Sequence, residues 1–219
     1  MTLIIGSRSP DGVILAADRR RLSRHEKGPD VAKLFKLSCG VVLAGAGDDA
    51  VLNEARTLID NQVEELQAQA SASTLLEVVT VAASVVNELV ARYQGTVEES
   101  FGFALGGLEN LSSGTAKIYT VFGGGFSDVP WVCLGSGSSY ARPLVELLLA
   151  NGELSTDESA KVMPAIFTMV SDVQTTVGGG IDICKITDDQ EIGNISHSDE
   201  INLSQIRLAF LRAIGIKNN

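Results

Sequence analysis

The stretch TLIIGSRSPDGVILAADRR, residues 2–20, decides the fold prediction. Residues 2–7 and 13–17 are runs rich in apolar and β-branched side chains, which favour β-strands. Between them, Pro10-Asp11-Gly12 is a typical turn sequence. The stretch therefore predicts an antiparallel hairpin near the start of the chain.

The elements that follow come in blocks of strands and blocks of helices. Apolar residues at helical spacing follow the first four strands, and strands followed by two helices return in the second half of the chain. We predict strands at 34–37, 40–44, 101–108, 116–122, 131–135, 179–187 and 191–195, and helices at 48–70, 73–92, 138–150, 156–173 and 202–214. Such blocks favour a layered α+β sandwich over alternating βαβ units. Because no segment has the composition of a linker, we predict one domain over residues 1–219.

The composition narrows the classes of function. The 219 residues are 45% hydrophobic and carry a formal net charge of −10. An acidic surface repels phosphate backbones, so we expect no nucleic-acid partner. No apolar run reaches the roughly 20 residues that a membrane helix needs, and no secretory leader is visible. We therefore expect a cytoplasmic protein without a membrane partner.

The histidines and cysteines form neither a metal-binding nor a redox pattern. His25 and His197 are far apart in polar, loop-like segments, which argues against a zinc site and a Ser-His-Asp triad. Cys39, Cys133 and Cys184 are odd in number and lie in apolar runs, so we expect buried reduced thiols. We predict no metal and no cofactor.

Seven short segments, taken together, resemble the β subunits of the proteasome. They are Thr2–Gly6, Asp11–Arg20, Lys33–Phe35, Ala44–Ala50, Gly135–Ser138, Leu154–Glu158 and Gly178–Asp182. Their order and spacing match the family over most of the chain. The resemblance implies an N-terminal-nucleophile (Ntn) hydrolase fold, a four-layer αββα sandwich in which two antiparallel sheets pack face to face between helices. It also implies a homo-oligomeric ring that acts on peptides or unfolded polypeptides, with an ATPase as a further partner.

The resemblance places Thr2 at the position of the family's nucleophile. A threonine hydroxyl attacks a carbonyl group only when a base removes its proton. Removal of Met1 frees the α-amino group of Thr2, and the reference pKa of such a group, about 7.7 to 8.0, leaves it partly neutral in the cell. The residue then carries its own base, which suits a chain with only two histidines. We therefore predict a threonine-type endopeptidase.

Four further residues match family positions around the nucleophile. Asp18 ends the second strand, and Lys33 lies in an otherwise apolar segment. We expect Asp18 to hold the Lys33 ammonium towards Thr2, where its charge lowers the pKa values of the hydroxyl and the amine. Ser136 supplies a hydroxyl that relays a proton or orients the amine. Gly45 offers a backbone N–H to the oxyanion of the transition state.

The resemblance also assigns a specificity pocket beside the nucleophile. Its predicted lining consists of Arg21, Val31, Leu43, Gly47 and Val51. These residues are mostly small and apolar, with an arginine at the rim. We therefore predict substrates that place an apolar or mixed side chain next to the cleaved bond.

Two family positions are filled differently in this chain and leave alternatives open. The usual aspartate and serine before the glycine pair are replaced by Gln174 and Val177. Because valine cannot hydrogen-bond the amine, one alternative is a catalytically inactive, ring-forming structural subunit. Another is an Ntn peptide ligase or transpeptidase. Such a ligase would use the same active residues as the peptidase, because the two enzymes differ only in whether an amine or water accepts the acyl group.

Overall fold

A computed structural model describes residues 2–23, 26–69, 74–93, 101–111, 113–188 and 196–198. The strands in these ranges are β1 Ile4–Ser9, β2 Gly12–Asp18, β3 Leu22–Ser23, β4 Glu26–Lys27, β5 Leu34–Lys36, β6 Val42–Ala46, β7 Gly102–Asn110, β8 Ser113–Phe122, β9 Gly125–Asp128, β10 Trp131–Leu134, β11 Ile181–Thr187 and β12 Ser196–Ser198. The helices are α1 Asp49–Ala68, α2 Leu75–Arg92, α3 Ser138–Leu148 and α4 Thr156–Val173.

Two five-stranded antiparallel sheets stand at the centre of the structure. The first has the strand order β10-β1-β2-β11-β12, and the second has the order β5-β6-β7-β8-β9. Helices α3 and α4 pack on the outer face of the first sheet, and α1 and α2 pack on the outer face of the second. A third apolar cluster lies between the sheets. The predicted αββα sandwich is confirmed.

Close contact between the two sheets depends on residues without side chains. A Cβ atom on Gly106 of β7 would stand 2.9 Å from Leu15 Cδ1 of β2, and one on Gly6 of β1 would stand 2.7 Å from Leu15 Cδ2. The Leu15 side chain therefore fills a notch that two glycines leave open. Such interlocking gives protein cores their density.

The predicted elements that fall in the described ranges agree with the structure to within a few residues, and the structure adds the short strands β3, β4, β9 and β12. Strand β9 occupies Gly125–Asp128, where the sequence analysis predicted no strand or helix. It pairs with β8 at the edge of the sheet, where its mixed composition gives no apolar alternation. The predicted strand at 191–195 and helix at 202–214 lie outside the described residues.

The cysteines are placed as apolar residues, with one exception. Cys133 of β10 and Cys184 of β11 are buried, and burial raises the pKa of these thiols to about 12 and about 11. Cys39 is half-buried and not fully buried as predicted, because it lies in the turn between β5 and β6. No described helix is both long and apolar enough to cross a bilayer. Within the described ranges, no three or more His, Cys, Asp and Glu side chains are grouped to hold a metal ion.

Candidate active site

The antiparallel register of the first sheet gathers the predicted catalytic residues at one end. Strand β1 begins two residues after Thr2, where Ile4 lies opposite Leu134 at the end of β10 and Ala17 near the end of β2. Asp18, the last residue of β2, lies opposite the first residue of β11. The chain after β10, the end of β2 and the loop before β11 therefore all meet at Thr2.

Asp18 is the centre of this arrangement. The residue is fully buried, and its Oδ1 atom accepts hydrogen bonds from Leu3 N at 2.8 Å and from Lys33 Nζ at 2.7 Å. Its Oδ2 atom accepts a third hydrogen bond from Gly178 N at 3.1 Å. Lys33 is also buried and donates to the carbonyl oxygen of Arg20 at 2.8 Å. One carboxylate thus fixes the residue after Thr2, the lysine and the loop before β11, and it includes the contact between Asp18 and Lys33 that the sequence analysis expected.

Burial moves the pKa values of the two charged groups towards each other. It raises the pKa of Asp18 above its ordinary value, against the opposing effects of the Lys33 charge and of hydrogen bonds from Lys33, Leu3 and Gly178. It lowers the pKa of Lys33, against the opposing charge of Asp18. Both shifts come from the cost of keeping a charged group away from water.

Ser136 faces the backbone nitrogen of Thr2. The Thr2 N–H donates to Ser136 Oγ at 3.3 Å, and this oxygen lies 3.2 Å from Thr176 Oγ1, so that either hydroxyl can be the donor. Gln174 Nε2 approaches the carbonyl oxygen of Ser136 at 3.5 Å. The structure brings Ser136, which the sequence analysis named, into contact with Thr2, whereas the sequence analysis did not name Thr176. The signal was present, since Thr176 is a hydroxyl residue one position before the family's serine.

Val177 fills the family's serine position as a core residue. Its side chain is fully buried, and its Cγ2 atom would stand 2.8 Å from a Cβ atom on Gly137. The Arg20 guanidinium holds the loop from outside by donating to the carbonyl oxygens of Thr175 at 2.6 Å and Val177 at 2.7 Å. The loop is therefore secured by packing and by an arginine clamp, which sequence analysis did not predict.

Gly135 allows the chain after β10 to pass directly over Thr2. Its φ of +86° lies in the left-handed region, and a Cβ atom on it would stand 2.2 Å from the carbonyl oxygen of Thr2. Only glycine fits such a position. The same carbonyl oxygen accepts a hydrogen bond from Gly137 N at 3.2 Å. These contacts fix the backbone of Thr2 between β10 and α3.

Gly45 lies beside Lys33 at the end of β6, and its N–H has a partner in this structure. It donates to the carbonyl oxygen of Lys33 at 3.3 Å, which is a long hydrogen bond. A Cβ atom at Gly45 would stand 2.7 Å from Leu52 Cδ2 and 2.8 Å from Phe103 Cε1, so the position admits no side chain without movement. An oxyanion role for Gly45 requires the bond to Lys33 to be exchanged for one to the substrate.

A pocket of about 250 Å³ opens next to Lys33 and Gly45. Arg21 and Val31 line it, as predicted, together with Ala32, Phe35, Asp49, Leu52 and Asn53. The Arg21 Nε atom and the Asp49 Oδ2 atom form an ion pair at 2.8 Å, with both side chains partly exposed. The lining is thus apolar at Val31, Ala32, Phe35 and Leu52, and polar at Asn53 and at the Arg21–Asp49 ion pair.

Three of the predicted pocket residues lie elsewhere. Leu43 and Val51 are buried in the apolar cluster between the second sheet and helices α1 and α2, and neither is among the residues that line the pocket, contrary to their prediction. Gly47 packs against Phe101 and is not part of the lining. Successive residues of a strand point to opposite faces, and the side chain of Leu43 points towards the helices. Leu52 and Asn53 take the place that the resemblance gave to Val51.

The fold is the αββα sandwich of the Ntn hydrolases. The family model described as "Proteasome subunit" matches residues 2–186, and the chain belongs to this family. It is 30% identical over 208 residues to "Proteasome subunit alpha" of Haloquadratum walsbyi, covering 92% of this chain and 79% of that protein. It is 28% identical over 210 residues to "Proteasome subunit alpha 1" of Haloferax volcanii, covering 91% and 78%.

Solved structures of the protein Anbu from Hyphomicrobium sp. strain MC1 have the same fold. A mutant of Anbu superposes with a TM-score of 0.77 at 18% identity, covering 100% of this chain and 99% of that chain. A second Anbu structure gives a TM-score of 0.71, also at 18% identity, covering 96% and 93%.

The buried ion pair predicts that one substitution lowers the free energy of unfolding strongly and that a second substitution restores most of it. Asp18→Asn leaves the Lys33 ammonium buried without its counter-ion, and breaking such a pair costs about 3–5 kcal/mol of the free energy of unfolding. Asp18→Asn combined with Lys33→Met removes both charges and should recover most of this loss. Urea unfolding measures both variants, and Lys36→Met, on the exposed end of β5, is the control, expected within about 0.5 kcal/mol of the parent. A near-neutral Asp18→Asn variant would contradict the account.

Proposed function

We propose that the protein is a threonine-type endopeptidase that uses Thr2 as its nucleophile once the peptide bond before Thr2 has been cleaved. The observation that carries this proposal is the convergence on Asp18 Oδ1 of Leu3 N, at 2.8 Å, and Lys33 Nζ, at 2.7 Å. This convergence ties a buried cation to the residue that follows Thr2. Ser136 Oγ approaches Thr2 N from the other side at 3.3 Å.

The reaction needs groups from this chain alone. The freed amine of Thr2 takes the proton of the Thr2 hydroxyl, and Oγ attacks the carbonyl carbon of the substrate. The tetrahedral oxyanion collapses, the amine delivers its proton to the leaving nitrogen, and an ester to Thr2 remains. Water, deprotonated by the same amine, then hydrolyses the ester and regenerates the hydroxyl. The nearby Lys33 ammonium favours the alkoxide throughout by charge proximity.

The substrate and assembly follow from the same proposal. A pocket with partly apolar walls and a volume of about 250 Å³ suits an apolar side chain of small to medium size next to the cleaved bond. We propose unfolded polypeptides or peptides as substrates, a homo-oligomeric ring that keeps folded proteins away from Thr2, and an ATPase partner that delivers unfolded chains. The cytoplasm is the compartment that we assign to this assembly.

A non-catalytic ring subunit is the second candidate. Two observations favour it: the Gly45 N–H is engaged with the Lys33 carbonyl oxygen at 3.3 Å, and Val177 presents no hydroxyl to the site. Peptide ligation by the same residues is a third candidate, because the ester to Thr2 can react with an amine as well as with water. An added amine nucleophile separates hydrolysis from ligation by the mass of the product.

A covalent probe tests the proposal. The protein is purified from its native host, its N-terminus is identified, and it is treated with a β-lactone or epoxyketone. We expect Thr2 to be the first residue and the intact mass to increase by one probe, mapped to Thr2. Thr2→Ala should take no probe, and Thr2→Ser, which keeps a hydroxyl, should be labelled. A protein with a free Thr2 amine that takes no probe would favour the non-catalytic subunit.

Thr176 should contribute to the reactivity of Thr2 through Ser136. Thr176→Val keeps the shape but removes the hydroxyl that lies 3.2 Å from Ser136 Oγ. Because one neutral hydrogen bond is worth about 0.5–1.5 kcal/mol, labelling of Thr2 should slow by about two- to tenfold. Thr176→Ser should retain most of the rate, and Thr175→Val, at the exposed neighbouring threonine, is the matched control. Equal rates in Thr176→Val and Thr175→Val would exclude this role.

A further inference from the structure

A second cavity lies beside the candidate substrate pocket, and Phe35 lines both. The second cavity has a volume of about 490 Å³ and lies between β5 and α1, whereas the substrate pocket has a volume of about 250 Å³. Because the half-buried side chain of Phe35 borders both spaces, its ring forms part of the wall between them. A change in the position of this ring would change the size of the substrate pocket.

Arg56 of α1 holds the Phe35 ring from the side of the second cavity. Its guanidinium carbon lies 4.5 Å from the ring centroid, within the range of a cation–π contact. One turn earlier on the same helix, Leu52 and Asn53 line the substrate pocket. Successive turns of α1 therefore face the two cavities, and Arg56 is the residue that joins them through Phe35.

The backbone on either side of this contact is fixed. Asp60, one turn after Arg56, accepts hydrogen bonds from both the N–H and the hydroxyl of Ser38, each at 2.9 Å. This carboxylate ties α1 to the turn that follows β5. Since α1 and β5 are held together in this way, the Phe35 side chain is the part of the wall that moves at least cost, by rotation about its side-chain bonds.

We propose that Arg56 is a specificity-determining residue of this protein. It holds the Phe35 ring as a wall of the substrate pocket, and the second cavity is the space that receives the ring when a larger side chain enters. The inference rests on the proposed function for its substrate, a peptide with an apolar residue on the acyl side of the cleaved bond. When the Phe35 ring is in place, the pocket accepts small and medium apolar side chains. When the ring is displaced into the second cavity, the pocket also accepts aromatic side chains.

Kinetics with matched substrates tests the proposal. Fluorogenic peptides that differ only in Ala, Leu or Phe before the cleaved bond are compared by kcat/KM in the parent and in Arg56→Ala. An exposed cation–π contact corresponds to a two- to fivefold effect, so the Phe-to-Ala ratio of kcat/KM should rise by about that factor. Arg56→Lys keeps a cation and should change the ratio less. Glu64→Ala, at an exposed position of α1 that lines neither cavity, is the control and should leave the ratio unchanged.

A second measurement does not depend on catalysis. The seven phenylalanines are replaced by 4-fluorophenylalanine, and the ¹⁹F signal of position 35 is assigned with Phe35→Leu. We expect Arg56→Ala to shift this signal. We also expect N-acetylphenylalanine methylamide to perturb it more strongly in Arg56→Ala than in the parent, with the alanine analogue as control.

The two measurements separate failure of this inference from failure of the proposed function. If the protein shows no turnover but the ¹⁹F signal of position 35 responds as expected, the peptidase proposal fails. The inference that Arg56 holds the Phe35 ring then stands. An active protein with the same ¹⁹F signal and the same Phe-to-Ala ratio in the parent and in Arg56→Ala overturns the inference. Equal ratio changes in Arg56→Ala and Glu64→Ala also overturn it.

Discussion

The buried ion pair between Asp18 and Lys33 is the interaction on which the site depends. Removing two charges from water is expensive, and the pair persists only because further hydrogen bonds satisfy its polar atoms. Leu3 N, Gly178 N and the carbonyl oxygen of Arg20 supply them. The pair therefore joins the chain at Thr2, the end of β2 and the loop before β11. Because each segment supplies a hydrogen bond, the buried pair is stable only when all three segments are folded.

The sheet register explains why this pair forms at Thr2. In the first sheet, β1 lies between β10 and β2, so the chain that leaves β10 and the chain that leaves β2 both pass the start of β1. Gly135 permits the first of these approaches with a φ of +86°, and Asp18 ends the second. The sandwich therefore delivers the polar groups to one end of the first sheet, while the helices cover its outer face.

Much of the fold and part of the site could be predicted from the sequence, for identifiable reasons. The αββα sandwich followed from runs of strands and helices and from the resemblance, and Asp18, Lys33 and Ser136 lay in short motifs with fixed spacing. Leu43 and Val51 were misplaced because a pocket lining depends on which face of a strand or helix a side chain occupies, and short motifs do not settle this. Thr176 and the Arg20 clamp were missed because both act through a loop whose path only the structure shows.

The loop before β11 differs from the family's usual sequence at Gln174 and Val177, and the structure shows how these residues are accommodated. Val177 replaces a hydroxyl residue and becomes part of the core, while the neighbouring Thr176 brings its own hydroxyl to Ser136. The polar contacts at Thr2 are thus redistributed within the loop. The family's usual pair is therefore not required for Ser136 to have a hydroxyl partner.

A pH titration of the Lys33 side chain by ¹⁵N NMR tests the central claim most directly. The account predicts a slowly exchanging ammonium signal whose pKa is below the ordinary range for lysine, because burial opposes the charge. The signal should change in Asp18→Asn, which removes the partner at 2.7 Å. A Lys33 signal that exchanges rapidly, titrates in the ordinary range and is unaffected by Asp18→Asn would show that the pair does not organise the site.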